Sequence, residues 1–446
     1  MRLMVAPDAA ASVPAVPAVP AVPVPAGLVL APFRAARFAA AGANLATLTS
    51  PPYDVIDDDE RAALEAAAEH NVVRLILPRD VSPDSPGSGY EQAAATLRAW
   101  LGSGVLVRDE KPALYVYEQR QDDHVQRGLV GALALADPDA QIVLPHENTM
   151  AGPVSDRLAL TRATAANLEP IFLLYDGGGP ASDAVAATVT TTPIIDVSTD
   201  DGVAHRLWAI DDPATLEAIA ADLLPRRAVI ADGHHRYATY RQYQAERHAA
   251  GDGDGPWDFG LTFLVDATVS GPQVHAIHRA VRGLTLADAV RRARDLFTVR
   301  QLPDGDGSRP APLLDELAAA GLDGHAFVIT DGSAAYLLTQ PAADLLARAL
   351  PADRSEAFRR LDVTVAHLAL ISDVWGLPDA VGVVDYYHDA PAAIAAAQAS
   401  GGVALLLNPT PVADVISVAG AAERMPRKST LFTPKPRTGL VMRPLD

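Results

Sequence analysis

The stretch VIADGHHRYATYRQYQAER, residues 229–247, decides how the middle of this chain folds. The apolar residues 228–231 predict a short buried strand, and Asp232-Gly233 predicts a tight turn into a helix over 234–249. A turn of this kind points free backbone N–H groups and the positive end of the helix dipole outwards. The segment therefore predicts an anion or phosphate site at the start of the helix.

The polar side chains at this turn fit such a site. Asp232, His234 and His235 are candidate catalytic residues, and Gly233 and Arg236 are expected to bind phosphate. Asp232 could cap the helix, hold a histidine or bind a metal ion, and Mg²⁺ is the ion we expect there, together with a nucleotide phosphate donor. The simpler alternative is that Asp232 is only an N-cap and the histidines are solvated. The grouping of all five residues favours a functional site.

A second cluster is the basic segment RMPRKSTLFTPKPRTGL at 424–440, in a chain that is acidic elsewhere. It holds two of the three lysines of the chain, Lys428 and Lys435. Most positive charges of the chain are arginines. A lysine at a particular position therefore indicates that its compact ammonium group is needed there, as it is in many phosphate sites. We predict that Lys428, Ser429, Thr430 and Lys435 bind phosphate. The alternative is an ordinary basic C-terminal tail.

A His-Glu pair lies in the segment LPHENT at 144–149, and Asp156-Arg157 follows it. His146 and Glu147 could supply a general base or a metal ligand. The pair is weak evidence by itself, because such pairs are common at protein surfaces.

The segment SPPYDVI at 50–56 presents Tyr53 and Asp54 at a turn after two prolines. Residues 71–77 predict a strand, and Arg74 within that apolar run needs a partner or a ligand. Tyr53, Asp54 and Arg74 are therefore candidate substrate-binding residues. The alternative for the first two is a rigid N-terminal turn.

Composition limits the classes of function. The 446 residues include 49% hydrophobic and 20% charged residues, with a net charge of -19 and no cysteine. The acidic balance argues against a DNA-binding protein, and the lack of cysteine excludes disulfides, thiolate metal sites and a cysteine nucleophile. No apolar run is long enough to span a bilayer, so we expect a cytoplasmic protein with no membrane partner. The oligomeric state cannot be read from the sequence.

The order of elements predicts a mixed α/β (α+β) fold in three parts. Residues 1–27, rich in Pro, Val and Ala, predict a disordered or extended tail. Residues 28–300 predict an α/β core that carries the segment DGHHRY, and 301–446 predict a C-terminal α/β subdomain. Because the chain lacks a P-loop, a Rossmann fingerprint, a Gly-x-Ser-x-Gly elbow and HExxH, any phosphate must be bound in another way.

Taken together, the motifs SPPYDVI, PHE-x-T, ADGHHRY and MPRKST-x-F-x-PK-x-x-TGL resemble the family called domain of unknown function 1015 (DUF1015). The segment around DGHHR is also similar to the phosphate-binding box of the ParB/sulfiredoxin-like fold. That group includes CTP-hydrolysing partition proteins, sulfiredoxin and kinases of free L-serine. The resemblance implies a ParB/sulfiredoxin-like core with large insertions, including residues between 171 and 229.

In the serine kinases a similar segment binds the donor phosphates and a glutamate acts as base. This implies that Asp232, His234, His235 and Arg236 form the phosphate box, with Glu147 as the candidate base. The function expected from it is transfer of phosphate between a nucleotide, or pyrophosphate, and a small hydroxylated metabolite, with free L-serine preferred. Two alternatives are a nucleotide-binding regulatory module of ParB-like type and a metal-dependent hydrolase.

Overall fold

The computed structural model describes residues 23–82, 85, 87–303, 309–378, 380 and 382–446. Most of the predicted N-terminal tail, residues 1–22, lies outside the described residues. Residues 23–27 form neither helix nor strand. The described chain builds a nine-stranded mixed sheet and a six-stranded antiparallel sheet, which we call the large sheet and the small sheet. The predicted mixed α/β class is confirmed.

The large sheet has buried side chains on both faces, as strands covered by helices on each side do. In spatial order its strands are Val143–Leu144, Ala228–Asp232, Ile171–Tyr175, Phe259–Asp266, His124–Ala134, Leu114–Gln121, Ala204–Ile210 and Ile195–Ser198, with Leu30–Ala31 also paired to His124–Ala134.

One face of the small sheet packs in its own apolar cluster, and the other face contributes to a cluster that it shares with the large sheet. The strands of the small sheet in spatial order are Thr298–Leu302, Ala335–Thr339, Ala326–Thr330, Val403–Leu406, His278–Val281 and Val384–Tyr387. Three two-stranded pairs complete the strands: Gln273–His275 with Leu431–Thr433, Ala36–Phe38 with Leu106–Arg108, and Ala166–Asn167 with Arg443–Pro444.

Helices connect and cover these strands. The α-helices are Ala43–Ala46, Asp58–Ala67, Val73–Ile76, Ser88–Ser103, Ala151–Thr164, Gly179–Thr188, Pro213–Leu223, His234–Ala249, Leu286–Ala293, Pro310–Gly321, Ala343–Ala349, Glu356–Arg359, Asp362–Thr364, Ala390–Ser400 and Val412–Gly420. The 3₁₀ turns are Tyr53–Val55, Pro138–Ala140 and Pro256–Asp258, and Val365–Val374 is a π-helix.

The prediction of a strand over 71–77 is wrong, because this segment contains the short helix Val73–Ile76. The Asn71 side chain accepts a hydrogen bond of 2.8 Å from the Val73 backbone N–H and so starts the helical turn. The buried side chains Val73, Leu75 and Ile76 show that the apolar run reflects burial, not strand periodicity.

The last residues of the chain return to the large sheet, where the Gln119 side chain donates to the Lys435 carbonyl at 2.8 Å. Thr438 exchanges two backbone hydrogen bonds with Ser50, and Arg443–Pro444 pairs with Ala166–Asn167. The strand His278–Val281 belongs to the small sheet although it precedes residue 301. The division at residue 301 stays a prediction, and these pairings cross it in both directions.

Candidate phosphate-binding site

Sheet topology brings two of the predicted motifs together. Val143–Leu144 and Ala228–Asp232 are parallel neighbours, with Val143 opposite Ala228 and Leu144 opposite Val229. Because parallel strands end at the same edge of a sheet, His146-Glu147 and the residues after Asp232 leave the sheet side by side. Residues distant in the sequence therefore form one site.

The segment Asp232 to Arg236, which we call the binding turn, joins the strand to the helix His234–Ala249 as predicted. Gly233 has φ 91° in the left-handed region, and an added Cβ would lie 3.1 Å from Arg236 Nε. None of the described side chains caps this helix start. The first-turn N–H groups and the helix dipole therefore form the kind of surface that anions occupy.

An ionic cluster fixes the position of Asp232. Its Oδ1 lies 3.1 Å from Lys435 Nζ, its Oδ2 accepts from Arg236, and Lys435 Nζ also donates to Asp54 Oδ2 at 2.6 Å. Burial acts to raise the pKa of Asp232, but Lys435 and Arg236 outweigh it and lower that pKa. Burial acts to lower the pKa of Lys435, but Asp232 and Asp54 hold it raised. Both side chains are therefore charged at neutral pH.

His146 is fully buried and neutral. Its Nδ1 lies 2.6 Å from the Ile230 carbonyl oxygen, which can only accept, so Nδ1 carries the proton. Its Nε2 then accepts from the Thr430 hydroxyl at 3.1 Å. Burial lowers the pKa of His146 to about 4. Both ring nitrogens are thus committed to the protein, and the side chain holds neighbouring segments in place.

The two histidines of the binding turn each accept a backbone hydrogen bond. His234 Nε2 accepts from the His146 N–H at 3.2 Å, and His235 Nε2 accepts from the Met150 N–H at 3.1 Å. Burial lowers the pKa of both rings. They tie residues 146–150 to the helix start as uncharged side chains.

Glu147 is the titratable group of the site with the pKa best suited to a general base. Its side chain is 33% exposed, and one carboxylate oxygen lies 4.0 Å from His146 Nε2. Desolvation raises its pKa to about 7, Asp232 adds to that increase, and the Lys428 and Lys435 ammonium groups oppose it. At neutral pH the carboxyl is therefore poised to accept or release a proton.

Glu169 is a residue of the site that sequence reasoning missed. It is 4% exposed and accepts from the Tyr53 N–H at 3.0 Å and from the Thr438 hydroxyl at 3.2 Å. Burial raises its pKa, against the charges of Arg236 and Arg157. The Arg157 guanidinium lies 4.2 Å from the centre of the Tyr53 ring, and burial raises the Tyr53 pKa to about 12. Glu169 thus joins the N-terminal turn to the C-terminal segment.

Residues 425–430, which we call the bridging loop, bring the second predicted cluster to the site. Lys428 is exposed and acts electrostatically on Glu147. The Ser429 hydroxyl donates to the Pro426 carbonyl, and the Thr430 hydroxyl pairs with His146. Both hydroxyl groups hold the loop together, whereas the lysine is exposed and acts on Glu147 through its charge.

Arg74 is the predicted site residue that the structure does not join to this cluster. Its Nη2 donates to the Glu65 carbonyl at 2.6 Å, in the helix Asp58–Ala67. This contact satisfies one donor of the half-buried guanidinium, whereas its Nε is buried without a hydrogen-bond partner. The predicted substrate contact of Arg74 stays a prediction.

The metal-binding role predicted for Asp232 also stays a prediction. Both Asp232 oxygens already face cations, Lys435 and Arg236. Within the described residues, a group of three ligand atoms within 4.8 Å of one another lies near the far end of the helix, at His248, Asp254 and Asp258.

The family of the chain is settled by a match over more than half of its length. Residues 30–364 match the family described as "Protein of unknown function (DUF1015)". The chain belongs to the DUF1015 family. The predicted family is thus confirmed, and the matched residues of this DUF1015 protein include the binding turn and His146-Glu147. The bridging loop lies beyond them. No curated protein matches the chain.

Solved structures similar to this DUF1015 protein are distant. A free serine kinase in complex with AMP is 12% identical at a TM-score of 0.35, covering 75% of this chain and 93% of the kinase. A conserved hypothetical protein from Pyrococcus furiosus is 13% identical at 0.32, covering 70% and 93%. SbnI with a C-terminal truncation, from Staphylococcus aureus, is 11% identical at 0.32, covering 69% and 86%. Likeness at this level assigns no function to the chain.

Among the described helices, none has the length and apolar character needed to cross a bilayer.

Proposed function

We propose that the protein is a phosphotransferase that moves phosphate from a nucleotide, or from pyrophosphate, to a small hydroxylated metabolite, with free L-serine as the first acceptor to test. The observation that carries the proposal is the uncapped helix start at the binding turn beside a carboxyl with a pKa of about 7. A helix start binds phosphate oxygens, and a carboxylate of that pKa accepts a hydroxyl proton at neutral pH.

In the proposed reaction, backbone N–H groups of the binding turn hold the donor phosphates. Lys428 and Lys435 neutralise the charge of the transferred group. Glu147 accepts the proton of the acceptor hydroxyl, whose oxygen forms the new bond to phosphorus. The bond between phosphorus and the donor's bridging oxygen breaks, and the shortened donor leaves with that oxygen.

We assign His146, His234 and His235 a positioning role in this reaction. Their described hydrogen bonds hold the two strand ends together, and His146 has both nitrogens engaged within the protein. Magnesium would supply further charge neutralisation with the donor phosphates. Because both Asp232 oxygens already face cations, we assign no protein ligand to it.

A metal-dependent hydrolase built on Asp232, His234 and His235 is less well supported. A ring nitrogen that accepts an N–H hydrogen bond has no lone pair left for a metal ion, and both Nε2 atoms are used in this way. A nucleotide-binding regulatory module would bind its nucleotide at the same turn. It differs from a kinase in that it forms no phosphorylated acceptor.

Phosphorus NMR with Mg²⁺ tests the proposal directly. ATP, ADP, CTP and pyrophosphate are each incubated with the protein, with and without L-serine, and Glu147→Gln serves as the matched control. A new phosphomonoester signal that needs both serine and one donor, and that the control fails to produce, is the expected result. Donor breakdown without serine would favour a nucleotidase or a regulatory switch. No change with any donor or added hydroxyl compound would refute phosphoryl transfer.

A further inference from the structure

Arg279 is a buried arginine of the small sheet that lies outside the proposed reaction. It is 1% exposed, in the strand His278–Val281 between Val384–Tyr387 and Val403–Leu406. A charged group in such a place costs free energy unless its donors are satisfied. The partners of Arg279 therefore show what the residue does.

The guanidinium of Arg279 links the small sheet to the bridging loop. Nε donates to His367 Nε2 at 3.1 Å, Nη1 donates to the Ile277 carbonyl, and Nη2 donates to the Lys428 carbonyl at 2.9 Å. The Tyr386 ring lies under the guanidinium, with its centre at 5.3 Å. Since His367 Nε2 accepts, its ring is neutral with the proton on Nδ1. The arginine is held from several sides and points one donor at Lys428.

The backbone of Lys428 needs such a partner. Its φ is 55°, in the left-handed region that non-glycine residues adopt rarely and keep only where their surroundings hold them. The bridging loop is anchored on both sides. Thr410 donates to the Ser429 carbonyl at 3.2 Å from the small-sheet side, and the Met425 N–H donates to the His146 carbonyl at 2.8 Å on the large-sheet side.

We propose that Arg279 is a positioning residue of the site: its Nη2–H group holds the Lys428 carbonyl, so that the Lys428 ammonium faces Glu147. The small sheet thereby contributes to a site whose binding turn and base lie on the large sheet. The further role of this ammonium, binding the donor phosphate, rests on the proposed function. The electrostatic effect of that ammonium on Glu147 does not.

The Glu147 carboxyl reports the position of Lys428 without any substrate. The groups that act on it are Lys428 and Lys435, which lower its pKa, Asp232, which raises it, and the neutral ring of His146 at 4.0 Å. Carbon-detected NMR of the carboxyl, assigned by its loss in Glu147→Gln, measures its pKa in the full-length chain. Lys428→Met should raise it by about half a unit, since an opposing positive charge is lost.

Arg279→Gln should raise the Glu147 pKa by a similar amount, and it should add nothing in the Lys428→Met background. Arg279→Lys, which keeps the buried charge but makes fewer hydrogen bonds, should give an intermediate shift and serves if the glutamine variant does not fold. A folded Arg279 variant in which Glu147 titrates as in the unaltered chain overturns the proposal, and so does a shift that adds fully to that of Lys428→Met. The titration needs no phosphate donor, so a chain without kinase activity would refute the proposed function and leave this test intact.

Discussion

Two connections of the large sheet have the same local design and differ in what their carboxylates are bonded to. The binding turn follows Ala228–Asp232 and starts the helix His234–Ala249. Residues 177–179, which we call the glycine turn, follow Ile171–Tyr175 and start the helix Gly179–Thr188. Each has glycine with positive φ before the helix. Because the two strands are antiparallel, the turns lie at opposite edges of the sheet.

At the glycine turn the protein's own carboxylates occupy the anion positions. Asp266 accepts from the Gly178 N–H at 3.0 Å and from the Ser182 hydroxyl, and Asp222 accepts from the Ala181 N–H at 3.1 Å. Burial acts to raise the pKa of Asp266, but the hydrogen bonds from Ser182 and its neighbours lower it to about 2. This turn is satisfied internally and stabilises the fold.

At the binding turn no described side chain caps the helix, and the Asp232 carboxylate is paired with Lys435 and Arg236 instead. Strand-turn-helix geometry is therefore not sufficient to identify a ligand site. What distinguishes the two turns is whether the protein supplies the anion itself.

Glu147→Gln should have the largest effect and act on chemistry alone. Loss of a general base lowers turnover by about 10²- to 10⁴-fold. Donor affinity should change little, because the binding turn is untouched. Turnover by phosphorus NMR and donor affinity by calorimetry measure the two quantities. Equal loss of both would contradict the assignment of Glu147 as base.

The rate should depend on pH through the same carboxyl. Since desolvation raises the Glu147 pKa to about 7, the proton-accepting form is scarce in acid. We expect kcat/KM to increase about tenfold per unit of pH below 7 and to level off above it. A profile of kcat/KM between pH 5 and 9 measures this. An acidic limb centred near the ordinary glutamate pKa would show that another group acts as base.

Lys435→Met should weaken donor binding by about 10- to 100-fold, since a charge-assisted hydrogen bond contributes about 1.5–3 kcal/mol. The loss also leaves Asp54 and Asp232 without their shared cation. Arg226→Met is the matched control, because Arg226 pairs with Asp176 and Asp222 at the glycine turn. It should lower the unfolding free energy and leave donor affinity unchanged. Similar loss of affinity in both variants would remove the distinction between the turns.

Asp266→Asn should destabilise the fold by about 1–3 kcal/mol, because an amide nitrogen would face donors that the carboxylate now satisfies. Urea unfolding measures the change. Donor affinity should stay as in the unaltered chain. A stable variant with weakened donor binding would place the phosphate site at the glycine turn.

Gly233→Ala and Gly178→Ala compare the two backbones directly. Both glycines have positive φ, but Gly233 has ψ 28° in the left-handed region and Gly178 has ψ 179° in a region that only glycine normally adopts. Alanine should therefore cost about 1–2 kcal/mol of unfolding free energy at 233 and about 1–3 kcal/mol at 178. The new Cβ at 233 would lie 3.1 Å from Arg236 Nε, whereas at 178 no described heavy atom lies within 4 Å. Only Gly233→Ala should weaken donor binding, and calorimetry of both variants decides this.

The parts of the site that lie close in sequence were predictable from it. The strand and helix around Gly233 were predicted because an apolar run, a glycine and a helical segment follow one another locally. The helix Val73–Ile76 was not predicted, because a short apolar run in which almost every side chain is buried shows no helical periodicity. Glu169 was missed because its partners, Tyr53 and Thr438, are 116 and 269 residues away.

The pairing of Lys435 with Asp54 across 381 residues likewise depends on how the C-terminal segment returns to the large sheet. Lys428 and Lys435 indicated a candidate phosphate site because lysine is rare in this sequence. Which carboxylates they would meet is a property of the tertiary fold, and local sequence does not encode it.

An NMR titration of the ¹⁵N-labelled protein with ATP and Mg²⁺, following the backbone N–H signals of both turns, tests most directly whether the donor phosphates bind at the binding turn. We expect saturable shifts at Gly233 and at His234 to Arg236, with Gly178 and Ala181 unchanged. Shifts confined to the glycine turn, or no shift at the binding turn with ATP, ADP, CTP or pyrophosphate, would contradict phosphate binding at the binding turn.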